Sequence, residues 1–267
     1  MKKKKPTPQI MKILKESRQE TGLLFWAVTL FVCLLLITTL GKEAVAVSST
    51  YGDRELPIYS VETEEKKISI SFDAAWGAED FQKIIDVLEK QDVKATFFMT
   101  GEWVEKYPDC VKVLVEKGHD LGNHSENHPD MTKLSKEKQK EEIMKAHNKV
   151  KELTGYEMEL FRPPYGAYDN EVIRTCYENN YYPVQWSVDS LDWMDYDAKT
   201  IVSNVCNHKA LGPGAIILCH NGAKHTAEAL DEMLTNLKGQ GYTFVPLSEL
   251  IMKENFHMDV TGRQIKD

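Results

Sequence analysis

No two of the five cysteines stand in a CxxC pair, and the chain contains no internal repeat and no low-complexity tract. The missing pair argues against a cysteine-bound zinc site. Cys33 falls inside an apolar run, which leaves Cys110, Cys176, Cys206 and Cys219. In an oxidising space those four would allow three pairings, and free, buried thiols are the preferred reading. A basic surplus is missing too. The net charge is −8, and the first twenty residues hold seven basic side chains (Lys2 to Lys5, Lys12, Lys15, Arg18) against Glu16 and Glu20, so the rest of the chain carries −13. Phosphate contacts need clustered Lys and Arg, so this acidic body excludes nucleic acid as a partner.

Charge of either sign is absent from Gly22 to Leu40. At a rise of 1.5 Å per residue this run approaches the roughly 30 Å hydrocarbon core of a bilayer. The basic segment before it should stay in the cytoplasm and everything after Gly41 should lie outside. The expected arrangement is a cytoplasmic basic segment (1–21), a transmembrane anchor (22–40), a linker (41–57), one catalytic domain (58–254) and a C-terminal tail (255–267). The alternative is a secreted protein released by cleavage after Ala44-Val45-Ala46, but the apolar run is longer than the core of a usual signal peptide.

Beyond the linker, apolar segments alternate between two periods. Ile58 to Val61 and Ile68 to Phe72 flank a charged turn, which suggests a hairpin or two short strands. Val93 to Met99 is β-branched and aromatic, as a buried strand requires. Further strands are expected at His119–Asn123, near Leu160, and at Pro183–Val188, Ala215–Cys219 and Tyr242–Val245. Helices are expected at Phe81–Lys90, Pro108–Lys117, Ser135–Thr154, Asn170–Asn179, Ala198–His208 and Thr226–Lys238. Gly118 and Gly155 are placed to end two of them. Strands alternating with helices at this pitch imply parallel β-α units, hence an α/β barrel or a doubly wound sheet.

The strand ends collect polar side chains: Asp73, His124 and His128, Arg162, Asp189 and Asp192, and His220. In parallel β-α folds, functional groups cluster at the carboxyl ends of strands. Any one of these is better explained as a satisfied polar residue, but a whole set at successive strand ends is not. His124-Ser-Glu-Asn-His128 sets two imidazoles four residues apart, as a helical turn or compact loop would for a shared metal, with ring nitrogens roughly 3–3.5 Å apart or somewhat more.

In order, these segments resemble the polysaccharide deacetylase family (the NodB-homology or carbohydrate esterase family 4 domain) over about residues 58–252. The resemblance rests on Ser71-Phe72-Asp73 with Trp76-Gly77, Gly118 to His124 continuing to His128, Arg162-Pro-Pro-Tyr-Gly166, Asp189-Ser-Leu-Asp-Trp193, Ile217-Leu-Cys-His220, and a closing Gly241-Tyr-Thr-Phe244 with Leu247-Ser-Glu-Leu250. It implies a distorted (β/α) barrel of the NodB-homology type and a hydrolase that removes N-acetyl groups from cell-wall polysaccharide, N-acetylglucosamine or N-acetylmuramic acid. His124 and His128 would hold a divalent metal, with zinc favoured and cobalt or nickel also suited. Asp73 would be the base and His220 the acid. Arg162 would orient Asp73, and Asp189 would hold His220 protonated. The Tyr165 N–H would help bind the oxyanion, while Trp193 and Leu218 would line the acetyl-methyl pocket. The partner implied is an N-acetylated glycan, reached from a membrane anchor.

One position departs from the family pattern. The family usually reads Asp-Asp-Gly at the first motif, its second Asp completing the metal site, whereas this chain reads Asp73-Ala74-Ala75-Trp76-Gly77. That variant, with Pro57 to Val61 before it, resembles a subgroup linked to sporulation. Either waters or a nearby carboxylate (Glu79, Asp80 or Asp192) complete the metal sphere and activity is weak, or the site only binds glycan. An allantoinase-like use of the fold on small amides is less attractive for a domain tethered beside the wall.

Overall fold

The computed structural model describes residues 50–51 and 53–267. The expected anchor at 22–40 and most of the linker lie outside these residues. Among the described residues no helix is long and apolar enough to cross a membrane.

Among the described residues thirteen short strands and eight α-helices follow one another. They are β1 (Thr50–Tyr51), β2 (Arg54–Glu55), β3 (Ser60–Val61), β4 (Lys67–Ala74), α1 (Phe81–Lys90), β5 (Thr96–Met99), α2 (Gly101–Lys106), α3 (Pro108–Glu116), β6 (Asp120–Asn123), α4 (Lys136–Thr154) and β7 (Leu160–Phe161). Then come α5 (Asn170–Glu178), β8 (Tyr182–Pro183), β9 (Val188–Asp189), α6 (Ala198–Cys206), β10 (Ile216–His220), α7 (Thr226–Gly239), β11 (Thr243–Phe244), α8 (Leu247–Leu250), β12 (Phe256–Met258) and β13 (Arg263–Lys266). The main sheet runs β8-β7-β6-β5-β4-β10-β9, with β11 added beside the start of β4, and every pairing in it is parallel. The result is an α/β half-barrel of parallel strands with helices outside.

β4 shows why these residues make this architecture. Side chains alternate along a strand, and here the alternation separates two environments. Ile68, Ile70, Phe72 and Ala74 pack in the larger apolar cluster with Ile84, Ile85 and Leu88 of α1 and Leu230, Met233 and Leu234 of α7. Ser69, Ser71 and Asp73 take the other face, where Ser71 Oγ donates to the Ile217 carbonyl at 2.8 Å and Ser69 Oγ to that of Val245. A second apolar cluster, with Phe98, Leu160, Val184 and Ile216, fills the concave side. Helix starts follow their caps: the Thr100, Ser135, Asp169 and Asp197 side chains each accept a backbone N–H of the first turn.

Two expectations are corrected and one alternative is decided. Ile58 to Val61 and Ile68 to Phe72 give two separate strands, β3 and β4, rather than a hairpin, because β3 pairs with β13, in a three-stranded sheet with β12. The segment read as a tail therefore contains two strands. The single strand expected at Pro183–Val188 is two short ones. Between them the chain leaves β7, bridges to Ile58 through Ile58 N to Pro183 O and Gln185 N to Ile58 O, and reaches β10 through Ser187 N to Ile216 O. Of the cysteines, Cys176, Cys206 and Cys219 are buried, Cys110 is half-buried, and all four are free.

Ile84 is fully buried on the inner face of α1 and Lys83 beside it is exposed. Ile84→Ala should therefore cost about 2–5 kcal/mol in urea unfolding, while Lys83→Ala should stay within about 0.5 kcal/mol of the parent.

Candidate active site

The carboxyl ends of β4, β6, β7, β9 and β10 converge on a cavity of about 480 Å³ whose walls include Asp73, Trp76, His124, His128, Tyr165, Trp186, Asp189, Trp193, Leu218 and His220. Parallel strands make this convergence unavoidable, since Asp73 and His220 are register partners on β4 and β10.

Arg162 lies directly beneath, fully buried. Its Nη1 donates to Asp73 Oδ1 at 2.6 Å, and its Nη2 donates to Ser71 Oγ at 2.9 Å and to the Gln185 carbonyl at 3.1 Å. The guanidinium carbon sits 4.1 Å from the Phe98 ring centroid. Burial pushes the Asp73 carboxyl up, but the charge and hydrogen bond of Arg162, above all, outweigh it and hold the group below the usual carboxylate range. Asp73 is therefore ionised. Its free oxygen, Oδ2, faces His124 Nε2 at 3.5 Å.

His124 follows β6 and pairs its Nδ1 with the Arg162 carbonyl at 2.7 Å. A carbonyl only accepts, so Nδ1 carries the proton and Nε2 keeps a lone pair. That atom lies 3.2 Å from His128 Nε2. Burial drives the His124 pKa down to about 4 and also lowers that of His128, so both rings are neutral near pH 7. The loop between them, not a helix, sets the spacing: Ser125 (φ 69°) and His128 (φ 56°) are left-handed, which costs non-glycine residues about 1–3 kcal/mol each.

Across the cavity, His220 Nδ1 donates to Asp192 Oδ1 at 2.7 Å, and Asp192 Oδ2 accepts from the His220 backbone N–H at 2.7 Å and from Thr226 Oγ1 at 2.6 Å. Burial alone would lower the His220 pKa. The hydrogen bond and charge of Asp192, with Asp73 and Asp189 adding to it, raise the value above the ordinary imidazole range. This corrects the expected role of Asp189, whose carboxylate accepts instead from Trp186 Nε1 at 3.2 Å and the Leu191 N–H at 2.8 Å. Leu191 is left-handed (φ 55°) and turns the chain so that Asp192 reaches His220. No periodicity signals such a turn. Trp76, from the unusual first motif, stacks on His220 with centroids 5.2 Å apart and planes 14° apart, a contact that its sequence position does not reveal. Tyr165, itself left-handed (φ 60°), sets its ring edge-on to His128 at 4.6 Å.

Two neutral imidazoles whose Nε2 atoms lie 3.2 Å apart suit two corners of a divalent ion's ligand sphere. Among the described residues no group of three or more His, Cys, Asp or Glu forms a complete set. Ala74 is fully buried in the cluster beneath the helices. None of Glu79, Asp80 and Asp192 lines the cavity: Asp192 is engaged by His220 and Thr226, and Asp80 accepts from the Gly222 N–H at 2.9 Å. The donor set thus fits a metal held by His124 and His128, with Asp73 beside it.

Residues 60–184 match the family model for polysaccharide deacetylase. The chain is also 35% identical over 221 residues to peptidoglycan-N-acetylmuramic acid deacetylase PdaA of Bacillus subtilis, covering 82% of both chains. The chain belongs to the polysaccharide deacetylase family. A peptidoglycan-N-acetylglucosamine deacetylase of Bacillus cereus is 35% identical over 213 residues, covering 78% of this chain and 72% of that one. Among solved structures, a CE4 family pseudoenzyme from Bacillus anthracis superimposes with a TM-score of 0.70 at 32% identity, covering 78% of this chain and 70% of that one. A mutant of that pseudoenzyme is described as having restored enzymatic activity. The relatives named here are thus peptidoglycan deacetylases, hydrolases in kind, and one similar structure is a pseudoenzyme.

If Asp192 rather than Asp189 holds the His220 proton, Asp192→Asn removes the anionic acceptor and must lower the His220 pKa, while Asp189→Asn shifts it far less. Titrating the His220 ring by NMR in both variants checks this. The reverse order would return the role to Asp189.

Proposed function

We propose that this chain is a metal-dependent N-deacetylase of peptidoglycan that acts outside the cell from an N-terminal anchor. The observation that carries this reading is a pair of oppositely tuned groups on one cavity: an ionised Asp73 beside two neutral imidazoles, facing a charged His220. Separated acid and base pKa values are what a two-proton hydrolysis requires.

His124 and His128 would hold a divalent metal, zinc by preference, which when bound would supply polarisation of an acetamide carbonyl and acidity to the attacking water. Asp73 Oδ2 takes the proton from that water, and the Arg162 fork keeps the carboxylate ionised and aimed. His220, charged and propped by Asp192, gives its proton to the leaving amine of the sugar. The Tyr165 N–H stabilises the developing oxyanion, an effect worth about 2.7–4 kcal/mol per donor. Leu218 and Trp193 receive the acetyl methyl.

Five of the six large apolar side chains exposed among the described residues (Trp76, Tyr165, Trp193, Met194 and Tyr196) belong to the cavity wall or to the Asp192–Tyr196 segment beside it. Such a rim suits the faces of several sugars better than one small amide. N-acetylglucosamine and N-acetylmuramic acid both satisfy it, and a place in sporulation rests on the Asp73–Gly77 motif.

A second reading is favoured by Ala74 together with the likeness to the Bacillus anthracis pseudoenzyme: a domain that binds the glycan without cleaving it. Acetate release from purified muropeptides and chitooligosaccharides, with and without zinc, separates the two. The deacetylase reading expects zinc-dependent release that falls about 10²–10⁴-fold in Asp73→Asn and in His220→Ala. It also expects weak zinc binding by calorimetry that tightens in Ala74→Asp. A wild type that stays inactive at saturating zinc leaves the glycan-binding reading standing.

A further inference from the structure

The loop joining His124 to His128 is held in a strained shape by groups outside it. Ser125 N–H donates to Asn123 Oδ1 at 2.9 Å, and His128 N–H donates to Ser125 Oγ at 2.9 Å. The first two N–H groups of α2, from Gly101 and Glu102, donate to the Ser125 and Glu126 carbonyls at 2.9 and 3.1 Å. That leaves the N–H groups of Glu126 and Asn127, and one carboxylate takes both. Glu142 Oε2 accepts them at 3.1 and 2.8 Å, while Oε1 accepts from Asn127 Nδ2 at 2.7 Å.

Glu142 stands on α4 and reaches across sixteen positions of sequence. Seven residues further, two turns along the same face, Lys149 Nζ meets Glu126 Oε1 at 2.5 Å. The buried stripe Ile143, Ala146 and Val150 fixes this helix against the core. A rigid helix therefore presents a charged acceptor to the two backbone donors midway between the imidazoles. Hydrogen bonds to an ionised acceptor are the strong ones, and here they offset the cost of two left-handed residues. Among the described residues no other carboxylate contacts these donors.

We propose that Glu142 is a positioning residue for the His124–His128 pair: it clamps the intervening loop so that the two Nε2 lone pairs converge on one ion. The inference rests on the metal reading given above and extends it to a residue that never touches the metal. Groups of this kind typically govern 10–100-fold in metal affinity.

The test uses the full-length chain and its Glu142→Ala and Glu142→Gln variants. Zinc binding is measured by calorimetry and backbone amide exchange by NMR. In Glu142→Ala the zinc dissociation constant should rise about 10–100-fold, and the Glu126 and Asn127 amides should exchange faster while those of Ile70 and Phe72 stay protected. Glu142→Gln keeps the shape and one acceptor oxygen, so both changes should be smaller, and it stands in if the alanine variant fails to fold. Wild-type affinity with wild-type protection in either folded variant would overturn the proposal. A wild type that takes up no zinc defeats the metal reading instead, and unaltered exchange at Glu126 and Asn127 would then defeat the clamp as well.

Discussion

The Arg162–Asp73 pair is the constraint on which the site depends. A guanidinium with no exposed surface must have an anionic partner, and removing one member of such a pair costs about 3–5 kcal/mol. Asp73 therefore remains ionised although it is itself buried. The same residue sets the neighbouring histidine, because the Arg162 carbonyl accepts from His124 Nδ1 and so turns the Nε2 lone pair towards the cavity. One residue after β7 thereby fixes the charge of the base and the tautomer of the imidazole.

The opposite wall repeats this logic with the sign reversed. Asp192, fully buried, offers its two oxygens to three donors: the ring Nδ1 and the backbone N–H of His220, and the Thr226 hydroxyl. The imidazole holds its second proton more tightly than an ordinary histidine for that reason. Trp76 covers one of its faces. Asp73 and His220 thus keep opposite charges across one small cavity, each secured chiefly by its own buried partner and each reinforcing the other.

Much of this was legible in the sequence. The apolar alternation of Lys67–Ala74 and the helical spacing of Ile84, Ile85 and Leu88 follow directly from burial. Asp73, His124, Arg162 and His220 stand out because parallel strands deliver their carboxyl ends to one side. Backbone turns were not legible. The left-handed Leu191 substitutes Asp192 for Asp189, and the bend at 184–187 divides one expected strand into two. The pairing of β3 with β13 joins segments about two hundred residues apart, and no local pattern encodes it. Glu142 was hidden for a related reason: on a charged helix it looks like any solvated residue until the loop it grips is in place.

Neutron diffraction from crystals grown near neutral pH tests the central claim most directly, because it locates the hydrogens themselves. The account predicts no hydrogen on either oxygen of Asp73, hydrogens on both ring nitrogens of His220, and a hydrogen on Nδ1 but not Nε2 of His124. A protonated Asp73, or a His220 bearing a single ring hydrogen, would contradict it.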